Sequence, residues 1–461
     1  MSGSAFGGDG RESPKVAQTK DPSDPWAYDA KTLPAQVPLE LLPAFVDVLR
    51  NAAGRADHVF HGTLMVRKLL SVEHDPPIQA VIDAGAVSLL MPCLRGPSVE
   101  LQFEACWALC NVASGTTAQM QVAIRAGFVP ELVPLLDSPS EDVREQAAWT
   151  VGNIAGDGTE TRDLLLQAGV MPPLLRFAAC ESPKITVMRN AMWALSNMIR
   201  VKPLPDWDAV VVPTLPLIAS RLHHSDAELL ADACWALSYA TSKPATDQLQ
   251  TVLDIEGLLP RVVHLLVASS SAPCHLPALK VIGNLVMGLD AQTQLVLDAG
   301  ALQHFPSLLT LPKQSTVKEA LWTLSNIAAG PASHVQSLLD ANLLSRVIDL
   351  GSPGQPTSNR KEALWIVINM VAHGTTVQQL ALIDAGVLPA LCSGLSVVPE
   401  SQSVLNRLIL LLAANDDATH PPRDIAHYLD PDDLLAVQCA QREGDVQLSG
   451  LTMALMLPLM A

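Results

Sequence analysis

Residues 145–158 read EQAAWTVGNIAGDG. Trp149 and Asn153 stand four apart, so on a helix one lies above the other on the same face. Neither is an obvious interior choice, because Trp is rarely buried completely and an Asn amide needs hydrogen-bond partners. Yet the pair recurs. LQFEACWALCNVASG (101–115), MRNAMWALSNMI (188–199), LADACWALSYAT (230–241), PALKVIGNLVMG (277–288), VKEALWTLSNIAAG (317–330) and RKEALWIVINMVAHG (360–374) repeat it with variations. Marked at the asparagine, the series runs 111, 153, 197, 239 (a tyrosine), 284, 326 and 369, with intervals of 42, 44, 42, 45, 42 and 43 residues.

A period of that size is the signature of a repeat architecture and must be recognised before the chain is divided into domains. It holds three helices and their turns. A second phrase falls between the marks, as in DAGAVSLLMPCL (83–94), RAGFVPELVPLL (125–136), QAGVMPPLLRF (167–177) and DAGVLPALCSGL (384–395). Each sets a glycine stop before an apolar helix that opens near a proline, the usual order at helix ends and starts. The unit therefore reads short helix, second helix, long third helix. Such units cannot bury their apolar faces alone, and stacking them makes one continuous core. The expected fold is all-α, a right-handed superhelical solenoid of about nine repeats with a long concave surface.

Composition agrees and narrows the function. Across 461 residues, hydrophobic residues make up 49% but aromatics only 4%, so Leu and Ala carry the apolar content and favour helix over strand. The balance of 46 acidic against 29 basic residues, a net charge of -17, argues against a nucleic-acid or anionic-membrane footprint and for a cationic partner. The eight cysteines include no CxxC, and Cys106 and Cys110 have no His or carboxylate cluster at metal-ligand spacing. No metal or other cofactor is expected, and the thiols read as buried and reduced. The opening MSGSAFGGDGRESPK has no apolar core of a secretory signal, so a soluble intracellular protein is expected. No phosphate loop, GxSxG or paired His–acid constellation appears, and His223 and His224, being adjacent, face different ways on a helix. An enzyme is not expected.

The ladder has its own chemistry. An Asn side chain carries an acceptor and donors, so a row of them can pair with the N–H and C=O groups of an extended peptide without reading its side chains. Trp faces flank slots for the methylene stem of Lys or Arg, with the cation near a ring worth about 0.5 to 2 kcal/mol. Three residues before the Trp, several units carry an acid: Glu104, Asp232, Glu319 and Glu362. These charges favour basic ligands, less strongly as salt rises. Lys280 stands where the unit of Asn284 would have its Trp and divides the ladder with a charge that repels cations.

The repeat resembles the armadillo motif. RKLLSVEHDPPIQAVIDAG, LQFEACWALCNVASGT, EDVREQAAWTVGNIAGDG, LADACWALSY and IGNLVMG are similar to the importin alpha family, adaptors that recognise nuclear localisation signals. The likeness covers about residues 60 to 415, with RKLLS (67–71) where one more unit would sit. It implies a major signal-binding site at Trp107, Asn111, Trp149, Asn153, Trp193, Asn197 and Trp235. It implies a minor site at Trp322, Asn326, Glu362, Trp365 and Asn369, with Glu104, Asp232 and Glu319 as supporting acids. Tyr239 in place of asparagine matches the family's own CWALSY. The implied partners are cargo proteins with Lys/Arg-rich signals, importin beta and a recycling exportin, in a protein shuttling between cytoplasm and nucleus. The alternative is an armadillo scaffold outside the import pathway, of the kind that lines its groove with Lys and Arg.

The termini depart from the family pattern. Residues 1–56 hold only Arg11, Lys15, Lys20, Lys31, Arg50 and Arg55, no two adjacent, so this arm is not expected to imitate a basic signal or to offer importin beta a dense cationic helix. The arm 1–56 is expected to be disordered, with DPSDPWAYDAKTLPAQVP a disordered linker and 38–54 a short amphipathic helix on the first repeat. The repeat domain is expected over 57–415. After 415 the pattern loses both Trp and Asn, and 416–461, ending in GLTMALMLPLMA, reads as an atypical capping segment.

Overall fold

The computed structural model describes residues 23–414, except 53, 97, 201, 244 and 268–271, together with 428, 429 and 433. The expected capping segment at 416–461 lies almost wholly outside the described residues. Among the described residues every regular element is a helix. The long helices that close successive repeats are α1 (Ala56–Leu69), α2 (Val99–Ala113), α3 (Glu141–Asp157), α4 (Ile185–Arg200), α5 (Ala227–Ala240), α6 (Ala272–Leu285), α7 (Gln314–Ala328), α8 (Thr357–His373) and α9 (Ser401–Ala414). Shorter helices come between them, such as Thr117–Arg125 and Phe128–Leu136 ahead of α3.

The turn between the two short helices shows why the unit folds locally as the sequence predicts. Gly127 sits at φ 95° and Gly386 at φ 86°, a left-handed conformation that costs glycine little and an ordinary L-residue much more. Asn342 takes this place in the unit before α8, at φ 53°, and Asn is the side-chain-bearing residue that best tolerates it. Helix starts are capped as their sequences predict. Ser98 accepts from the Leu101 N–H and Asp226 from the Leu229 N–H, while Thr116 with Gln119 and Thr375 with Gln378 form capping boxes.

The chain divides into two compact units, Met1–Asp157 with Leu164–Val170, and Gly158–Asp163 with Met171–Ala461. In the first, α1 packs on α2 and α2 on α3. The helix Leu42–Arg50 lies on α1, close enough that a Cβ on Gly62 would stand 2.7 Å from the Leu49 side chain and 3.1 Å from the Phe45 carbonyl. The stretch expected to be disordered linker instead holds two short 3-10 turns, Pro25–Ala27 and Pro34–Gln36, and makes specific contacts with the same helix. Trp26 stacks on His61 with ring centroids 4.2 Å apart, and the buried Lys68 ammonium donates to the Ala30 carbonyl at 2.9 Å and also to that of Thr32. Burial lowers the Lys68 pKa, so backbone oxygens replace the water it loses. The linker composition is too polar to make a core of its own; it is ordered by what the next helix offers.

In the second compact unit α4 to α9 pack each on the next. Glutamines tie successive repeats: Gln292 Nε2 donates to the Thr246 carbonyl and to Gln250, and Gln378 Nε2 to the Ala332 carbonyl and to Gln336, 42 to 46 residues away. Arg162, 2% exposed, donates to Asp163 and, at 2.7 Å, to the Pro203 carbonyl, so its buried charge is paired.

Candidate functional site

In the first compact unit α2 carries Trp107 and Asn111 and α3 carries Trp149 and Asn153, each pair one helical turn apart. A pocket of about 450 Å³ lies between the two rungs, lined by both Trp and both Asn with the acids Asp142 and Glu145. Trp149 is 47% exposed, a large aromatic surface left open to solvent. Each asparagine spends one donor within the protein: Asn111 Nδ2 reaches Ser71 Oγ at 3.2 Å and Asn153 Nδ2 reaches Cys110 Sγ at 3.4 Å. The amide is thus held from the preceding repeat, with its oxygen and second N–H still available to a ligand. Both structural and binding roles fit one side chain. At the end of α3, Asp157 accepts from Thr117 Oγ1 at 2.8 Å.

Trp193, Asn197 and Trp235 belong to the second compact unit, on α4 and α5. Asn197 is only 6% exposed, so it offers less than Asn153 does. Trp235 stacks on Tyr239 at 5.6 Å. Asp232, one turn before Trp235, is pushed up to about 6 chiefly by burial, with Glu228 and Asp226 adding to the rise and Arg189 opposing it. Arg189 itself bonds Asp226 and Glu228, and that pairing holds the Asp226 carboxyl down at about 2.

Further along, α7 carries Trp322 and Asn326, and α8 carries Glu362, Trp365 and Asn369. A smaller pocket of about 340 Å³ is lined by Lys280, Asn284, Lys318, Glu319, Trp322 and Glu362. Trp322 lies against Gly283, where an added Cβ would stand 2.6 Å from its ring. Asn369 Nδ2 donates to the Ser325 carbonyl of the preceding repeat at 2.9 Å, whereas Asn326 Nδ2 turns back to the Trp322 carbonyl at 3.0 Å. Burial raises the Glu362 pKa, against the pull of Lys318 and Lys361.

The four acids picked out from sequence do not stand in equivalent surroundings. Glu104 is taken by Arg67, whose Nε lies 2.5 Å from Oε2, and Glu319 by Lys280 at 2.7 Å. Asp232 and Glu362 have no such partner from the preceding Trp position, which in their case is a true tryptophan. Sequence reasoning missed Arg67 as a member of the site, and also Asp142, Glu145 and Lys318. The signal for Arg67 was its register, 40 residues before Trp107. Among the described residues, no group of three or more His, Cys, Asp or Glu is placed to hold a metal ion.

Repeats of three helices, with a Trp and an Asn one turn apart on five of the long helices (α2, α3, α4, α7 and α8), define the chain as an armadillo-repeat solenoid. The Armadillo/beta-catenin-like repeat family matches residues 74–114, 117–156, 158–200 and 290–329. An engineered protein of known crystal structure shares the fold, with a TM-score of 0.76 at 24% identity over 91% of this chain and 99% of that one. Importin subunit alpha-1a of Oryza sativa subsp. japonica is 41% identical over 313 residues, 68% of this chain and 58% of that protein. Importin subunit alpha-B of Dictyostelium discoideum is 42% identical over 254 residues, 54% of this chain and 48% of that protein. The chain belongs to the importin alpha family of armadillo-repeat proteins. It spans less than two thirds of the length of these curated relatives.

Proposed function

We propose that this protein is a nuclear import adaptor, binding Lys/Arg-rich nuclear localisation signals of cargo proteins along its Trp/Asn ladder. The observation that carries it is the pocket between Trp107 and Trp149, where two aromatic walls, two tethered amides and two acids converge. An extended basic peptide meets each of these in turn: its backbone pairs with Asn111 and Asn153, and a Lys or Arg stem lies between the rings with its charge toward Asp142 and Glu145. On family membership we assign Trp193, Asn197 and Trp235 of the second compact unit to signal binding as well. Trp322, Asn326, Glu362, Trp365 and Asn369 form the minor site, which takes the shorter basic block of a bipartite signal. Family membership, with relatives named importin subunit alpha, supports cargo linkage to importin beta, return by a recycling exportin, and shuttling between cytoplasm and nucleus.

Isothermal titration with a monopartite Lys/Arg-rich peptide, a bipartite one and an acidic peptide of equal length tests the proposal. Both basic peptides bind and the acidic one does not. Equal affinity for acidic and basic peptides, or none for either, would overturn it in favour of a scaffold that reads other ligands.

A further inference from the structure

Arg67 precedes Ser71 by four residues, as Trp107 precedes Asn111. The Asn111–Ser71 hydrogen bond shows that these two rungs are neighbours in space, so Arg67 stands at the tryptophan position of the first repeat. Its guanidinium carbon lies 4.5 Å from the centroid of the Trp107 ring. Its Nε donates to Glu104 Oε2 at 2.5 Å and its Nη2 to Oε1 at 3.3 Å, a two-point grip on the carboxylate one turn before Trp107. Arg67 is 9% exposed, so the pair is largely removed from solvent screening. Lys280 repeats the arrangement with Glu319 at the other tryptophan position that holds a cation.

We infer that Arg67 is a specificity-determining residue: it fills one face of Trp107 and the Glu104 carboxylate from within the chain, and so ends the run of slots open to ligand cations at that ring. The elements that recognise a cation are an aromatic face and an acid. Both are present at this face, and both are already used. A ligand lysine placed there would meet a like charge and would have to break two charge-assisted hydrogen bonds before forming its own. Trp107 also lines the pocket shared with Trp149, whose walls include Asn111, Asn153, Asp142 and Glu145. The preferred ligand is therefore a basic run whose flanking residue at the Arg67 end is neutral or acidic.

The inference rests on the basic-peptide function proposed above, and the experiment separates the two. A labelled peptide with a run of five lysines is titrated by fluorescence anisotropy, alone and with two residues added at either end, Lys in one series and Ala in the other. Failure of the wild-type protein to bind the core run would refute the import reading itself. With the core run bound, the wild type is expected to hold the Ala-extended peptide at least twofold more tightly than the Lys-extended one at the Arg67 end. Arg67→Met should then favour the Lys extension at one end by at least fivefold, about 1 kcal/mol, and Arg67→Met combined with Glu104→Gln should lose that gain. Glu104→Gln alone leaves Arg67 unpaired and should weaken the Lys-extended peptide more than the Ala-extended one, a readout that survives if Arg67→Met does not fold. Equal affinity of folded Arg67→Met for both extensions, or a wild type that already gains from Lys at both ends, would overturn the inference.

Discussion

Replacing Trp149 by alanine should weaken a monopartite basic peptide about thirtyfold while leaving the helices intact. The size follows from exposure. Trp149 shows 47% of its surface in the free protein. An aromatic side chain of about 250 Å² therefore has roughly 115 Å² to cover, worth up to about 3 kcal/mol at ~25 cal/mol per Å². A peptide covers only part of that surface, and removal of a central aromatic anchor commonly costs about 2 kcal/mol, which is the thirtyfold. Asn153→Ala removes a backbone clamp instead, and the loss of hydrogen bonds to a buried peptide group costs about 1 to 3 kcal/mol, so at least tenfold is expected. Part of that change falls on the fold, because Asn153 Nδ2 also meets Cys110 Sγ across repeats. Circular dichroism melts of each variant, run beside isothermal titration, separate the two contributions. A loss below threefold for both variants would refute the reasoning, and a lowered melting temperature beside it would show the ladder to be packing alone.

Asn369→Ala should alter monopartite binding less than threefold and weaken a bipartite peptide more, because its helix gives only Glu362 to the smaller pocket, where Lys280 already holds Glu319; titration of both peptides decides it. Affinity for basic peptides should rise as pH climbs through about 6, where Asp232 becomes charged, and Asp232→Asn should flatten that profile between pH 5 and 7. The same group binds its proton more tightly folded than unfolded, so its contribution to stability falls as pH rises from about 4 to about 6; Asp232→Asn should melt higher than wild type at pH 7 and equal it near pH 4. Gly283→Ala should destabilise the second compact unit by about 1 to 3 kcal/mol in urea titration, the usual range for overpacking, because the new methyl meets the Trp322 ring at 2.6 Å and Thr323 Oγ1 at 2.9 Å.

What could be read from the chain alone was whatever depends on neighbours within a turn or two. The 42 to 45 residue period, the glycine at the left-handed turn and the Trp–Asn spacing are all local, and local geometry is the same wherever the helix goes. They were enough to place Trp149 and Asn153 on one face and to identify the repeat. Charge pairing was not legible in the same way. Glu104 and Asp232 occupy the same position in their repeats, yet one is gripped by Arg67 from 37 residues away and the other is left to burial and like charges. Asn153 and Asn197 are equivalent in sequence, yet Asn197 is nearly buried. The polar stretch 23–37 is held against the next helix by Lys68 and His61, which present it with donors and a ring. Electrostatic energy and desolvation depend on distances through space, so which acids of the ladder stay open to a ligand was decided by how the repeats stack.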